Sequence, residues 1–171
     1  IGDISRSYFE VYDSNILSVA KTRFENIVDT LKAKVVTGDT TQIVDSGKVV
    51  IAAANPDLME QFINKGDIVI LGNRYEAQLC AIEMDARCIV ICEGAAVSKT
   101  IIKVAQEKNC AIIVTDYDTY TVARLINQSI PISYYMMHSE GLITFKNTDF
   151  IEDIQDVMAK KRFRDFPITD E

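Results

Sequence analysis

Residues 68–94 constrain the fold more than any other stretch, because they combine two short apolar runs with one amphipathic segment. The first run, IVIL at 68–71, is followed by a Gly-Asn-Arg turn, and the second run, CIVIC, spans 88–92. This pattern predicts a βαβ unit, whose strands are parallel and covered by helices. The same alternation recurs across residues 35–135, so we predict an α/β fold with an open, doubly wound parallel sheet.

Caps, breakers and apolar spacing predict the remaining elements. Asp13, Ser14 and Asn15 are suited to cap one long helix that continues to Leu31. Asn55 with the following proline starts another helix, which is predicted to end at residue 66. The other predicted helices are a short one near residue 3, then 74–86, 97–108, 119–129 and 148–162, and the other predicted strands are 35–36, 49–54, 111–115, an edge strand at 130–134, 142–145 and 166–169.

The charge balance excludes two classes of partner. The 171 residues include 18 lysines and arginines against 25 aspartates and glutamates, which gives a formal net charge of -7. Such a chain has no overall positive field for a nucleic-acid backbone or an anionic membrane, so neither is expected as a partner. The longest apolar runs also fall far short of the roughly 20 residues that a transmembrane helix needs.

The four cysteines, Cys80, Cys88, Cys92 and Cys110, have neither CxxC spacing nor a nearby histidine. Cys88 and Cys92 are about 13 Å apart along one predicted strand, which is too far for a disulfide. We therefore expect four buried thiols and a cytoplasmic location. Because the sequence stops within a predicted strand and turn, we also expect it to be an excerpt of a longer polypeptide.

Ligands of open parallel sheets bind beyond the carboxyl ends of the strands, and two such ends have candidate side chains. Asn73, Arg74 and Glu76 form either an anion site at a helix start or a capping arrangement, with Asn73 as the cap. Capping is favoured, because the repeated glycines of a phosphate-binding loop are missing. Asp116 and Asp118 either bind Mg²⁺ or form a turn in which Asp118 caps the next helix, and the turn is again favoured.

Two further features are less specific. His138 has no carboxylate or cysteine companion in the sequence, which favours a packing or surface role. The basic residues Lys160, Lys161, Arg162 and Arg164 either contact phosphate groups or complement the carboxyl end of a helix dipole. The sequence has no GxSxG, HExxH, Walker-type or cysteine-metal motif, so no catalytic residue and no metal site is predicted.

The two ends of the chain resemble complementary halves of CBS motifs. Residues 1–5, IGDIS, resemble the second half of one motif, in which an acidic residue bonds the ribose of an adenine nucleotide, and that role falls on Asp3. Residues 164–170, RDFPITD, are similar to the first half of another, where the main chain beside the proline lines the adenine pocket and arginines face phosphate. The resemblance implies a nucleotide site comprising Gly2, Asp3, Ser5, Arg162, Arg164, Phe166, Pro167 and Ile168.

The middle of the chain resembles a DRTGG domain, an α/β module also found in some phosphate acetyltransferases. The namesake motif falls on residues 72–76, where Arg74 matches, Asn73 replaces the usual aspartate and the following residues depart from Thr-Gly-Gly. The stretch DTYTVARLINQSIP at 118–131 adds to the resemblance. The implied domains are the end of a first CBS motif at 1–13, a linking helix at 14–33, the DRTGG-like domain at 34–138 and the start of a second CBS motif at 139–171.

This arrangement is characteristic of the regulatory region of CBS-containing family II inorganic pyrophosphatases. It implies a non-catalytic adenine-nucleotide sensor in a homodimer, with AMP or ADP inhibiting, and ATP or a dinucleoside polyphosphate activating, a manganese- or cobalt-dependent hydrolase. The divalent metal is expected only in catalytic domains outside this segment. Two alternatives stay open: a small acyl- or phosphoryl-transfer enzyme that uses Arg74, Asp116 and Asp118, and a dimerisation module without a ligand.

Overall fold

The structure is a computed structural model that describes residues 13–136, 143–161 and 165–170. These residues fall into two compact units, which divide after Tyr135. We call the described residues 13–135 the central unit, and Met136 with residues 143–161 and 165–170 the C-terminal unit. The predicted helix near residue 3 lies outside the described residues.

The central unit is built on one five-stranded sheet. Its strands are β1 (Lys34–Thr37), β2 (Val49–Ile51), β3 (Ile68–Leu71), β4 (Cys88–Ile91) and β5 (Ala111–Val114), and they lie in the order β1-β5-β4-β3-β2. Neighbouring strands from β2 to β5 are parallel, whereas β1 runs antiparallel to β5. The predicted α/β fold with a parallel sheet is confirmed, and the antiparallel edge is an addition, because an apolar run does not reveal strand direction.

Helices cover both faces of this sheet. They are α1 (Ile16–Val19), α2 (Phe24–Thr30), α3 (Pro56–Met59), α4 (Tyr75–Glu83), α5 (Lys99–Glu107), α6 (Thr119–Leu125) with a 3₁₀ turn at Ile126–Ser129, and α7 (Ile132–Tyr135). Val69 and Ile89 pack under α3, α4 and α5, while their neighbours Ile68 and Val90 face α1, α2 and α6. The parallel strands nevertheless follow one another in chain order, so the reversal of strand order expected of a doubly wound sheet does not occur among β2 to β5.

The long helix predicted after residue 13 is wrong, because the chain breaks it into α1 and α2. Lys21 has a left-handed backbone, with φ of 49°, and Arg23 is extended. The intervening segment pairs with a distant loop: the Val44 N–H donates to the Thr22 carbonyl at 2.8 Å, and the Phe24 N–H donates to the Gln42 carbonyl at 2.9 Å. Tertiary pairing therefore overrides the helical spacing of the apolar residues.

Three other predicted elements differ from the structure. The edge strand at 130–134 is wrong, because Pro131 precedes α7 and its carbonyl accepts from the Tyr134 N–H at 2.9 Å; proline suits the start of a helix. The helix predicted to end at residue 66 stops at Met59, although Asn55 caps it as expected. The strand at 49–54 ends at Ile51 and is half-exposed, because β2 lies at the edge of the sheet.

The C-terminal unit contains a single βαβ arrangement in its described part. Strand β6 (Phe145–Lys146) leads into α8 (Ile151–Lys161) and then β7 (Ile168–Thr169), which pairs with β6 in parallel. The predicted strands at 142–145 and 166–169 and the predicted helix at 148–162 thus correspond to these elements with shifted ends. The described residues contain no helix that is both long and apolar enough to cross a membrane.

Candidate functional site

An open cleft of about 270 Å³ lies in the C-terminal unit. It is formed where the inner side of α8 faces β6 and β7. The residues that line it are Phe145, Ile154, Met158, Asp165, Phe166 and Ile168. Five of these six side chains are apolar, so the cleft suits a flat, largely apolar group.

The register of β6 and β7 fixes the position of the predicted pocket residues. The Phe145 N–H donates to the Pro167 carbonyl at 3.0 Å, and the Asn147 N–H donates to the Thr169 carbonyl at 3.2 Å. In a parallel pair, only every second residue of a strand bonds to a given neighbouring strand. The N–H and carbonyl of Ile168 therefore point away from β6. The rings of Phe145 and Phe166 meet edge to face, with centroids 5.1 Å apart.

The structure therefore brings together part of the predicted nucleotide site. Phe166 and Ile168 line the cleft, whereas Pro167 stands beside it with its carbonyl bonded to β6. Lys160 and Lys161 lie in the last turn of α8, where their charges complement the helix dipole. Gly2, Asp3, Ser5, His138, Arg162 and Arg164 lie outside the described residues.

The predicted cap at Asn73 is wrong. Arg74 occupies the N-cap position of α4 with an extended backbone, and no side chain caps the helix. The Arg74 guanidinium instead donates to the Ala54 carbonyl at 3.3 Å, and Gln78 donates to the Gly72 carbonyl at 3.0 Å. These bonds connect α4 to the segments that follow β2 and β3.

The expected turn at residues 116–118 is confirmed for Asp118. Its Oδ1 accepts from the Thr121 N–H at 3.0 Å and its Oδ2 accepts from the Thr121 hydroxyl at 2.7 Å, which caps α6. These bonds hold the pKa of the Asp118 carboxyl below its usual value. In the described part of the chain, no three His, Cys, Asp or Glu side chains are grouped to bind a metal.

Replacing Asp118 with alanine is expected to lower the stability of the central unit at neutral pH. In the folded protein the pKa of this carboxyl lies below its ordinary value of 3.8. Its contribution to the free energy of unfolding is therefore present above that value and is lost as the pH falls through the folded pKa. In urea unfolding, the difference in stability between the variant and wild type should therefore be smaller at a pH below 3.8 than at neutral pH. Asp116→Ala is the control, because that exposed carboxylate caps no helix. An equal loss of stability in both variants at neutral pH contradicts the prediction.

The four buried thiols are confirmed as free cysteines. Burial raises the pKa of Cys110 to about 12, and it also raises the pKa of Cys88. Thiols held in the protonated form are poor nucleophiles and poor metal ligands. The four cysteines pack within the core clusters on the two faces of the sheet.

Sequence reasoning missed a second polar region, at the amino ends of the strands. Lys65 precedes β3, Arg87 precedes β4 and Lys108 precedes β5, and all three line one groove. The signal in the sequence was that each of three successive strands has a cation within a few residues before its start. Ligands of parallel sheets usually bind at the carboxyl ends of the strands, so this pattern at the amino ends does not by itself predict a site.

Residues 26–129 match the DRTGG domain, which is more than half of the chain. The chain belongs to the DRTGG domain family. It is also 36% identical to the cobalt-dependent inorganic pyrophosphatase of Clostridium perfringens, over 99% of this chain and 31% of the relative. A probable manganese-dependent inorganic pyrophosphatase of Thermotoga maritima is 30% identical over 99% of this chain and 30% of the relative. The chain thus spans about a third of the length of these relatives.

A solved structure resembles the chain along nearly its full length. The CBS and DRTGG domains of the regulatory region of Clostridium perfringens pyrophosphatase, complexed with the activator diadenosine tetraphosphate, match with a TM-score of 0.84 and 36% identity. The match covers 98% of this chain and 73% of that one. The predicted resemblance to a CBS and DRTGG regulatory region is therefore confirmed.

Proposed function

We propose that this chain is a regulatory region that binds adenine nucleotides and controls an inorganic pyrophosphatase. AMP or ADP would inhibit, and ATP or a dinucleoside polyphosphate would activate. The observation that supports this proposal is the near full-length similarity to a pyrophosphatase regulatory region complexed with diadenosine tetraphosphate. The cobalt or manganese of the relatives would act in catalytic domains outside this chain.

The proposed adenine pocket is the apolar cleft of the C-terminal unit. A purine base has flat apolar faces, which suit the Phe166 ring and the Ile168 side chain. Its edge has hydrogen-bonding groups, which the Ile168 N–H and carbonyl would bond, because these two groups point away from β6. The Pro167 carbonyl contributes less, because the Phe145 N–H already donates to it.

The remaining contacts of the proposed site follow the CBS resemblance. By that resemblance Asp3 would bond the ribose hydroxyls, and Gly2 and Ser5, which are near it in the sequence, would complete this part of the site. Arg162 and Arg164 face the phosphates, for which planar guanidinium groups are well suited.

We also propose that the region acts as a homodimer. Phe150 and Ile151 expose 76% and 72% of their surface in the C-terminal unit, and exposed apolar side chains of this size favour contact with a partner. A nucleotide can then regulate activity only by binding one arrangement of the paired motifs more tightly than the other.

Replacing Ile168 with alanine is expected to weaken binding of diadenosine tetraphosphate by about fivefold to tenfold, because it removes apolar contact with the base. The measurement is calorimetric titration of the full chain, with AMP as a second ligand and circular dichroism as a check on folding. Ile168 is 65% exposed, so its truncation should leave the fold intact. Asp3→Ala is expected to weaken both ligands through the ribose.

Ile132→Ala is the matched control, because Ile132 is similarly exposed, at 74%, but lies in the central unit and does not line the cleft. It should bind both nucleotides like wild type. Wild-type affinity in both Ile168→Ala and Asp3→Ala contradicts the proposed site. No binding of either nucleotide by the wild-type chain contradicts the proposed function itself.

A further inference from the structure

We infer that the groove at the amino ends of β3, β4 and β5 binds a small polyphosphate anion. The groove belongs to the central unit and is separate in its residues from the proposed nucleotide cleft. Its volume of about 620 Å³ leaves room for a ligand with several phosphate groups. Its lining includes Ser46, Lys65, Asp85, Arg87, Lys108 and Asn109.

The sheet brings the three cations together. Because β3, β4 and β5 are parallel neighbours, their amino ends lie side by side at one edge of the sheet. Lys65, Arg87 and Lys108 come just before these three starts, so side chains more than 20 residues apart in sequence converge. Against these three positive charges stand two carboxylates, that of Asp85 in the lining and that of Asp45 beside it, which leaves a local excess of one positive charge in a chain whose formal net charge is -7.

Two of the cations are held in position by contacts within the chain. Arg87 pairs with Asp45, donates to the Ser46 hydroxyl at 3.0 Å and donates to the Ile43 carbonyl at 3.4 Å. Lys108 pairs with Asp85 at 3.2 Å. An anion that binds between preorganised cations loses less free energy to ordering than one that must order flexible side chains.

The third cation of the groove is Lys65. Lys65 is exposed and forms no ion pair with any carboxylate of the described residues. The side-chain amide of Asn109 adds neutral N–H groups that can donate to oxygen. Fixed guanidinium, mobile ammonium and neutral donors around one groove match a phosphate chain better than a carboxylate, which has fewer acceptor oxygens.

The test is calorimetric titration of the full chain with inorganic pyrophosphate at constant ionic strength. Lys65→Gln and Lys108→Gln are each expected to weaken binding by about threefold, and the double variant by about tenfold. Asp85→Asn is expected to tighten binding, because it removes the one negative charge of the lining. Asparagine also tolerates the left-handed backbone there, where φ is 58°.

Lys103→Gln is the matched control, because Lys103 is exposed on α5 outside the groove and should leave the affinity unchanged. Diadenosine tetraphosphate is titrated in parallel, since it also contains a polyphosphate chain. Weakening of pyrophosphate alone in the double variant identifies a free polyphosphate as the ligand, and weakening of both identifies the phosphate chain of the dinucleotide. The inference is overturned if pyrophosphate binds no more tightly than sulfate, or if the double variant binds it like wild type. Loss of dinucleotide binding in Ile168→Ala leaves this inference unaffected.

Discussion

Replacing Gly47 with alanine is expected to destabilise the central unit by about 3–5 kcal/mol, the sum of backbone strain and overpacking. Gly47 has a φ of +86°, which a residue with a Cβ atom rarely adopts. An added Cβ would also lie 2.1 Å from the Gly66 carbonyl oxygen and 2.4 Å from its carbon. Both atoms belong to the main chain, so no side-chain rotation relieves the clash.

The effect of Gly47→Ala is measured by urea unfolding of the full chain, with the loss read from the transition of the central unit. Gly72→Ala is the matched control, because an added Cβ at that position meets no atom within 4 Å. The control should change the stability by no more than about 0.5 kcal/mol. Equal unfolding midpoints for the two variants contradict the packing described for Gly47.

Replacing Asp67 with alanine is expected to destabilise the same unit by about 2–4 kcal/mol, because two partly buried backbone donors lose a charged acceptor. The Asp67 side chain is only 1% exposed. Its Oδ1 accepts from the Lys48 N–H at 2.9 Å and its Oδ2 accepts from the Asn64 N–H at 2.8 Å. The carboxylate thereby holds the start of β2 beside the turn that leads into β3.

The Asp67 prediction is checked by urea unfolding against Asp29→Ala. Asp29 is an exposed carboxylate of α2 whose side chain has no hydrogen bond to a described residue, so its loss should change the stability little. Asp67→Asn should fall between wild type and alanine, because an amide keeps one acceptor oxygen but turns a donor toward the second N–H. A small loss for Asp67→Ala, equal to that of Asp29→Ala, contradicts the assigned role.

The candidate site was predictable to the extent that it depends on local sequence. The segment around Phe166 and Pro167 was singled out by its resemblance to a CBS motif, and the structure lines a cleft with Phe166 and Ile168. The groove of Lys65, Arg87 and Lys108 was not predicted, because the sequence shows a cation before each strand start but not that the three starts are adjacent. Adjacency depends on strand order, which the sequence pattern leaves open.

The sequence by itself determined the strands β3, β4 and β5 and the caps at Asn55 and Asp118, because apolar runs and capping side chains act over a few neighbouring residues. Only the tertiary structure decided the break between α1 and α2, the antiparallel direction of β1 and the burial of Asp67. Each of these depends on a hydrogen bond between residues far apart in the chain. Such bonds require segments that are distant in the chain to lie side by side, so local periodicity carries no record of them.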